Sequence, residues 1–312
     1  MDDPRAFWQR LKRQRMGLLG LGMLLVVIAV AVFAPVLAPY DPKENIRVTI
    51  DMIYAPPNAS YWLGTDDAGR DVLTNLMYGA RVSLLVGFIA SFIALVIGGT
   101  VGIVAGFFGG RIENILMRIT DILLVIPDLA LMIILIALLG RSLSIIITVI
   151  GILSWTGTAR VVRSQTLSVK ERKFVQRARA IGAGNVYIIR RHIFPLVFPL
   201  MVVNAVLVIS AVIIYESVLA FLGLGDPTRL SWGQMLNFAF NRGGMSVGAW
   251  WSLVPPGFAI AWVGLGLLLF GNGLERVFNP RLELHHLATG PDMVARPKHQ
   301  ELVTPVPASS GK

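Results

Sequence analysis

The sequence predicts an all-α polytopic membrane protein with six transmembrane helices, and three observations carry that reading. Its 312 residues are 55% hydrophobic and only 15% charged, with a mean hydropathy of +0.68, far more apolar side chain than one soluble core needs. Six apolar runs stand at 17–38, 82–108, 119–139, 143–159, 197–221 and 253–274, each near the ~20 residues that a helix needs to cross a bilayer. The basic residues are sorted by side. With the N-terminus inside, 21 Lys and Arg fall in cytoplasmic segments and six fall outside (43, 47, 70, 141, 229, 242), with Arg81 at a boundary, as the positive-inside rule requires.

The first span follows a basic N-terminal segment, 1–16, holding Arg10, Lys12, Arg13 and Arg15. Its apolar run exceeds that of a signal peptide, and Pro35 and Pro39 occupy the place of a small-residue cleavage site, so it reads as a retained anchor. The external segment 39–80 is acidic and contains Leu63, Gly64, Thr65, Asp66, Asp67, Ala68, Gly69, Arg70 and Asp71. Thr and Asp there suit a turn followed by a helix N-cap. A second external segment, Gly223 to Trp251, carries Trp232, Trp250 and Trp251, expected either as interface anchors or as part of a docking surface.

Between the fourth and fifth spans lies a basic loop, 160–196. Residues 160–191 hold nine Lys or Arg against one acid, Glu171. Ser168 and Glu171 have capping-box spacing, predicting a helix from Val169 to Ile181 that Gly182 ends in a left-handed conformation. Asn185 is expected to cap a second short helix, closed by Pro195. The small residues Ala178, Ala180, Gly182, Ala183 and Gly184 would admit a close partner. The segment equally suits an amphipathic helix lying on lipid headgroups. After residue 282 the chain turns polar and Pro-rich, and 283–312 is expected to be a disordered cytoplasmic tail.

Several chemistries are excluded. There is no Cys, hence no disulfide, thiolate metal site or Cys nucleophile. The four His, 192, 285, 286 and 299, have no ligand spacing, and no catalytic or metal-binding set is expected. The one Gly-Lys pair, Gly311 and Lys312, cannot form a Walker loop, so no ATP site is expected on this chain. The net charge of +10 follows membrane topology rather than nucleic-acid binding. Two acids lie deep in spans, Asp128 beside Pro127 and Glu216. Each is expected to face the protein interior, as a structural polar group or as pathway lining.

These residues resemble the permease subunits of binding-protein-dependent ABC importers of the dipeptide, oligopeptide and nickel type. The loop at 174–195 is similar to that family's EAA motif: Gln176, Arg177 and Ala178 occupy the Glu-Ala-Ala triplet, Gly182 matches its Gly and Pro195 its Pro. The triplet departs at its Glu and first Ala. The resemblance extends to Leu63–Asp71, to Tyr78, Gly79, Ala80, Arg81, Val82 and Ser83, to Phe221–Gly225, to Ser231, Trp232 and Gly233, and to Asn279, Pro280 and Arg281. It implies a type I importer architecture with the permease core at 81–282. Gln176, Arg177, Ala178, Arg179, Ala180, Ile181, Gly182 and Ala183 would form the coupling helix seated on an ATPase. The implied partners are a second permease, two cytoplasmic ATPases carrying ATP and Mg, an extracytoplasmic solute-binding protein and membrane lipid, in a prokaryotic plasma membrane. The substrate would be a dipeptide, oligopeptide, nickel chelate, opine or oligosaccharide. The rival reading is a secondary transporter or channel that works without an ATPase; a scaffold ranks lower.

Overall fold

The computed structural model describes residues 11–41 and 49–278. The expectations for the N-terminal ten residues, for Asn279, Pro280 and Arg281, and for the tail 283–312 lie outside the described residues. In chain order the helices are α1 (Arg15–Leu37), α2 (Val72–Phe108), α3 (Gly110–Val125), α4 (Asp128–Leu139), α5 (Leu143–Leu153), α6 (Trp155–Lys170), α7 (Lys173–Ala180), α8 (Asn185–Ile188), α9 (Phe194–Leu219), α10 (Trp232–Asn241) and α11 (Trp250–Phe278). Among the described residues there is no strand, only an isolated bridge between Thr65 and Asp71.

Five helical runs are long and apolar enough to cross a membrane: Arg15–Leu37, Val72–Phe108, Leu143–Lys170, Asn185–Leu224 and Trp250–Phe278. The sixth is a broken one. Instead of a straight span over 119–139, α3 and α4 meet at an angle of 84°. Pro127 is the cause: it lacks an N–H and pushes the residue before it out of the helical region, and Ile126 accordingly has φ −83° and ψ 128°. Hydropathy counts such a run as one span because it registers composition, not direction.

α2 is the central element, and its packing face is made of small residues. Ala90, Ala94, Gly98, Gly102 and Gly106 recur every four residues and are all buried. A Cβ at Gly98 would lie 2.6 Å from the Trp155 carbonyl oxygen, and one at Gly102 would lie 2.6 Å from that of Ala159. In lipid there is little hydrophobic gain from bringing two apolar helices together, so close backbone approach and dispersion have to hold them. α1 uses the same device against α11: a Cβ at Gly20 would stand 2.5 Å from the Gly266 oxygen, and one at Gly273 would stand 2.5 Å from the Cα of Gly17.

α1 is also held by a charge. Pro35 lies inside it and cannot donate to the carbonyl four residues earlier, leaving that of Ala31 without its helical partner. Arg81 on α2 supplies the missing donor. Its Nε donates to the Ala31 oxygen at 2.5 Å and its Nη2 to the Val32 oxygen at 2.9 Å. A proline that would weaken an isolated helix thus becomes the attachment point between two helices.

Candidate functional site

The basic loop differs from expectation at three points, each for a physical reason. The capping box does not form, because α6 continues through Ser168 to Lys170 and the chain breaks at Glu171 and Arg172. Val169 is fully buried, in one cluster with Ile103, Phe107, Val162, Val175 and Ile188, and that burial extends α6 past the local signal. Asn185 is the first residue of α8 rather than its cap, a position held by Gly184. Pro195 lies in the first turn of α9, which begins at Phe194, instead of closing α8. The turn before it, Ile189–Ile193, is widened to a π-helix, with Phe194 N–H donating to the Ile189 oxygen. That widening accommodates a ring that would clash with a carbonyl in a regular turn.

The end of α7 follows the sequence. Gly182 has φ +85°, its N–H donates to the Arg179 oxygen at 3.0 Å, and the Ala183 N–H donates to the Ala178 oxygen at 3.0 Å. These two bonds make a Schellman cap, which needs a residue that tolerates positive φ. Val175 and Ala178 are buried and fix α7 to the helices beneath it. Ala183 is half-buried, while Gln176, Arg177, Arg179, Ala180, Ile181 and Gly182 are exposed. Ile181 is 86% exposed, Val186 69% and Tyr187 57%, so the outer surface around the Gly182 turn is apolar as well as basic.

Not all the basic residues of this loop face outward. Arg163 pairs with Glu113 and Arg160 with Asp121 at 2.5 Å, tying α6 to α3. The guanidinium of Arg179 lies 5.6 Å from the centre of the Phe107 ring at the end of α2. Gln176, at the first place of the motif triplet, donates to the Glu171 carbonyl at 3.3 Å.

The two deep acids are held by different helices. Asp128 is the first residue of α4, half-buried, and accepts from the Tyr215 hydroxyl at 3.5 Å. Glu216 is 4% exposed and accepts from the Ser83 hydroxyl on α2 at 3.2 Å. Ser83 in turn accepts from the Trp232 N–H of α10 at 3.3 Å. Glu216 thus joins α2, α9 and α10 at one point, where Gly233 of α10 lies against the Ser217 backbone with 2.4 Å from its would-be Cβ to the Ser217 oxygen. Sequence reasoning missed Ser83 and Trp232 as its partners, although both stood in stretches that carried the family resemblance. Glu216→Ala should cost about 1 to 3 kcal/mol by leaving buried donors unpaired, lowering the melting temperature and reducing transport of cationic and neutral substrates alike. Asp128→Asn should act on cationic substrates more than neutral ones. Uptake assays with a charged and an uncharged substrate test both, and a charge-selective loss at Glu216 would favour pathway lining over the structural role.

The two external segments form one knot. Asp71 caps α2, accepting from the Thr74 N–H at 2.7 Å, as its spacing predicts. Asp66 accepts from the Ala68 and Arg70 N–H groups, both at 2.9 Å, and from Asn75 Nδ2 at 3.0 Å. Across the knot, Arg242 pairs with Asp67 while lying 3.7 Å from the Phe238 ring centre. Trp251 Nε1 donates to the Thr65 carbonyl at 3.2 Å. A Cβ at Gly64, where φ is +65°, would meet the Trp251 ring at 2.6 Å. Burial, with the nearby Asp67 and Asp66 carboxylates, raises the Tyr54 phenol above its usual pKa, so it stays a donor, to the Arg242 carbonyl.

The three tryptophans of the second external segment divide. Trp232 is 2% exposed and donates from Nε1 to the Leu76 carbonyl at 2.9 Å; it is a core strut, correcting the anchor reading. Trp251 is half-buried in the knot and Trp250 is exposed. The cavity beneath the knot, lined by Tyr54, Asp66, Asp67 and Asn75, measures about 10 Å³, room for about one water and for no solute. Nearby, Asp226 receives the Leu143 N–H at the start of α5 at 2.9 Å. Burial opposes its ionisation, but bonds from the Thr228 hydroxyl and N–H and from Leu143, with Arg229 close by, hold its pKa below the usual carboxylate range.

Comparisons with known proteins agree with this geometry. The sequence profile described as "Binding-protein-dependent transport system inner membrane component" matches residues 98–284, and that described as "N-terminal TM domain of oligopeptide transport permease C" matches 5–57. The chain is 38% identical over 276 residues to the dipeptide transport system permease protein DppC of Bacillus subtilis (strain 168), covering 88% of this chain and 85% of that one. It is 34% identical over 274 residues to the oligopeptide transport system permease protein OppC of the same organism, covering 88% of each. Among solved structures, an inward-facing MetNI methionine ABC transporter shares the fold with a TM-score of 0.53 at 19% identity, over 66% of this chain and 95% of the other. A chain that carries these spans, this capped helix in its basic loop and this extent of sequence likeness belongs to the family of binding-protein-dependent transport system inner membrane components.

Proposed function

We propose that this protein is one of two membrane-spanning permease subunits of an ATP-driven importer, together forming the gated pathway for dipeptides, oligopeptides or a chemically similar solute. The observation that carries this reading is the outer surface of the basic loop. α7 is anchored from beneath by Val175 and Ala178, and it presents Ile181, Val186 and Tyr187, all exposed, around a turn that Gly182 makes tight. An exposed apolar patch with Arg177 beside it suits a protein groove with an acidic edge better than bulk water. Gln176 to Ala183 form the part that two cytoplasmic ATPases engage, with ATP and Mg held on those partners and none on this chain. An extracytoplasmic binding protein delivers the solute to the side on which the knot of Asp66, Asp67 and Arg242 stands. Both termini then lie in the cytoplasm of a prokaryote.

The family membership and the relatives' shared span of the chain support this reading over a transporter that works alone. The test is co-purification followed by uptake. The tagged chain, expressed with its neighbouring subunits, should bring down a second permease and a P-loop ATPase. Proteoliposomes of that assembly should take up peptide only with ATP and a loaded binding protein. Peptide uptake by this chain without any ATPase would establish the secondary-transporter reading instead.

A further inference from the structure

The clamp between α1 and α2 leaves a groove beside it. Ile28, Ala31 and Val32 of α1 and Arg81, Leu84 and Phe88 of α2 enclose about 380 Å³ open to the outside of the protein. Val32 is 59% and Phe88 45% exposed, so the groove is apolar along its length with one cation at its end. That cation is fixed rather than free, because Nε and Nη2 are bound to the carbonyls of Ala31 and Val32. Carbonyls orient a guanidinium but do not cancel its charge. Among the described residues no carboxylate forms an ion pair with Arg81, and the Tyr78 ring lies 5.4 Å from centre to guanidinium. Ala31 lies six residues before Leu37, the end of α1, which at 1.5 Å per residue is ~9 Å along the axis. In a bilayer whose outer surface lies near Leu37, Arg81 would stand where headgroups give way to acyl chains.

We propose that the α1–α2 groove binds one phospholipid, with an acyl chain along Ile28, Leu84 and Phe88 and the phosphate on Arg81, and that anionic headgroups are preferred. An uncompensated cation whose position is set by the protein complements a phosphodiester, and the open apolar lining beside it, Ile28, Val32, Leu84 and Phe88, is a surface that an acyl chain covers. The inference stands independently of which solute is transported and of the ATPase reading.

The test uses the full chain in its purified assembly, stripped of lipid in detergent and mixed with phosphatidylglycerol or phosphatidylcholine, with bound lipid counted by native mass spectrometry. The wild-type chain should hold phosphatidylglycerol about fivefold more tightly than phosphatidylcholine, the contribution of about one basic residue at an anionic surface. Arg81→Gln keeps an amide donor for the α1 carbonyls and removes the charge, and should abolish that preference, weakening phosphatidylglycerol more than phosphatidylcholine, since both carry the phosphodiester and choline already offsets it in the second. Val32→Trp, which fills the groove and leaves Arg81 in place, should remove one bound lipid of either kind. A photoreactive residue at position 88 should label lipid. Labelling of another protein subunit from that position, or equal lipid retention by wild type and Val32→Trp, would overturn the proposal.

Discussion

Gly182→Trp is expected to leave membrane insertion intact while reducing ATP-driven uptake at least ~10-fold, the loss that ~1.4 kcal/mol of weakened docking would produce. Two separate penalties combine in that variant. The φ of +85° costs an L-residue roughly 1 to 2 kcal/mol, borne by a cap of two hydrogen bonds. The bulk of the indole is a different matter: nothing lies within 4 Å of a Cβ built there, so the side chain enters open space, the space a docked partner would fill. Gly182→Asn separates the two, since Asn tolerates the left-handed region and adds little volume. It should retain most of the uptake. Uptake in proteoliposomes, measured beside ATPase co-purification, reads both variants. Normal uptake by Gly182→Trp in a fully assembled complex would show that this turn touches nothing.

Gly102→Leu should remove the folded protein altogether. A Cβ at that position would stand 2.6 Å from the Ala159 oxygen, 2.7 Å from Val162 Cβ and 2.9 Å from the Arg163 nitrogen. Two of those three are backbone atoms, so a rotamer change cannot relieve the clash and α6 must move as a body. Overpacking of this kind costs about 1 to 3 kcal/mol where a core can adjust; here the displaced helix also carries the Gly98 and Gly106 contacts. Gly102→Ala should fall between the two. Gly157→Ala is the control, because nothing lies within 4 Å of its Cβ position and Ala is a better helix former. The monodisperse fraction after detergent extraction, and its melting temperature, measure the series. A stable, monodisperse Gly102→Leu protein would mean that α2 and α6 do not rest on each other there.

What the sequence made legible follows from how local each cause is. Gly182 ends its helix as predicted, and Asp71 caps α2, because both roles depend on a few neighbouring residues. The same kind of local signal failed at Ser168 and Glu171, where burial of Val169 among residues as distant as Ile103 outweighed a capping box. Pro127 was visible in the sequence, yet an apolar run of constant composition gives no hint that its two halves turn 84° apart. The pairing of Arg242 with Asp67 spans 175 residues, and that of Glu216 with Ser83 spans 133; neither could be read without the topology. Asp128 and Glu216, similar in sequence as acids within apolar spans, stand in different surroundings because Tyr215 and Glu216 are neighbours on α9 and project to different sides.

The unbroken length of α2 has a mechanical meaning. Its 37 residues contain no proline and extend ~55 Å at 1.5 Å per residue, well beyond the ~30 Å of hydrocarbon they cross. At its start it is rooted in the external knot through Asp71 and Asn75, and at its end Phe107 lies under Arg179 of the basic loop. Such a rod behaves as a lever. Pivoted at one end, a tilt of only ~10° carries the other through ~10 Å for a helix of this length. A rearrangement on one face of the membrane is therefore felt on the other without any signal passing from residue to residue.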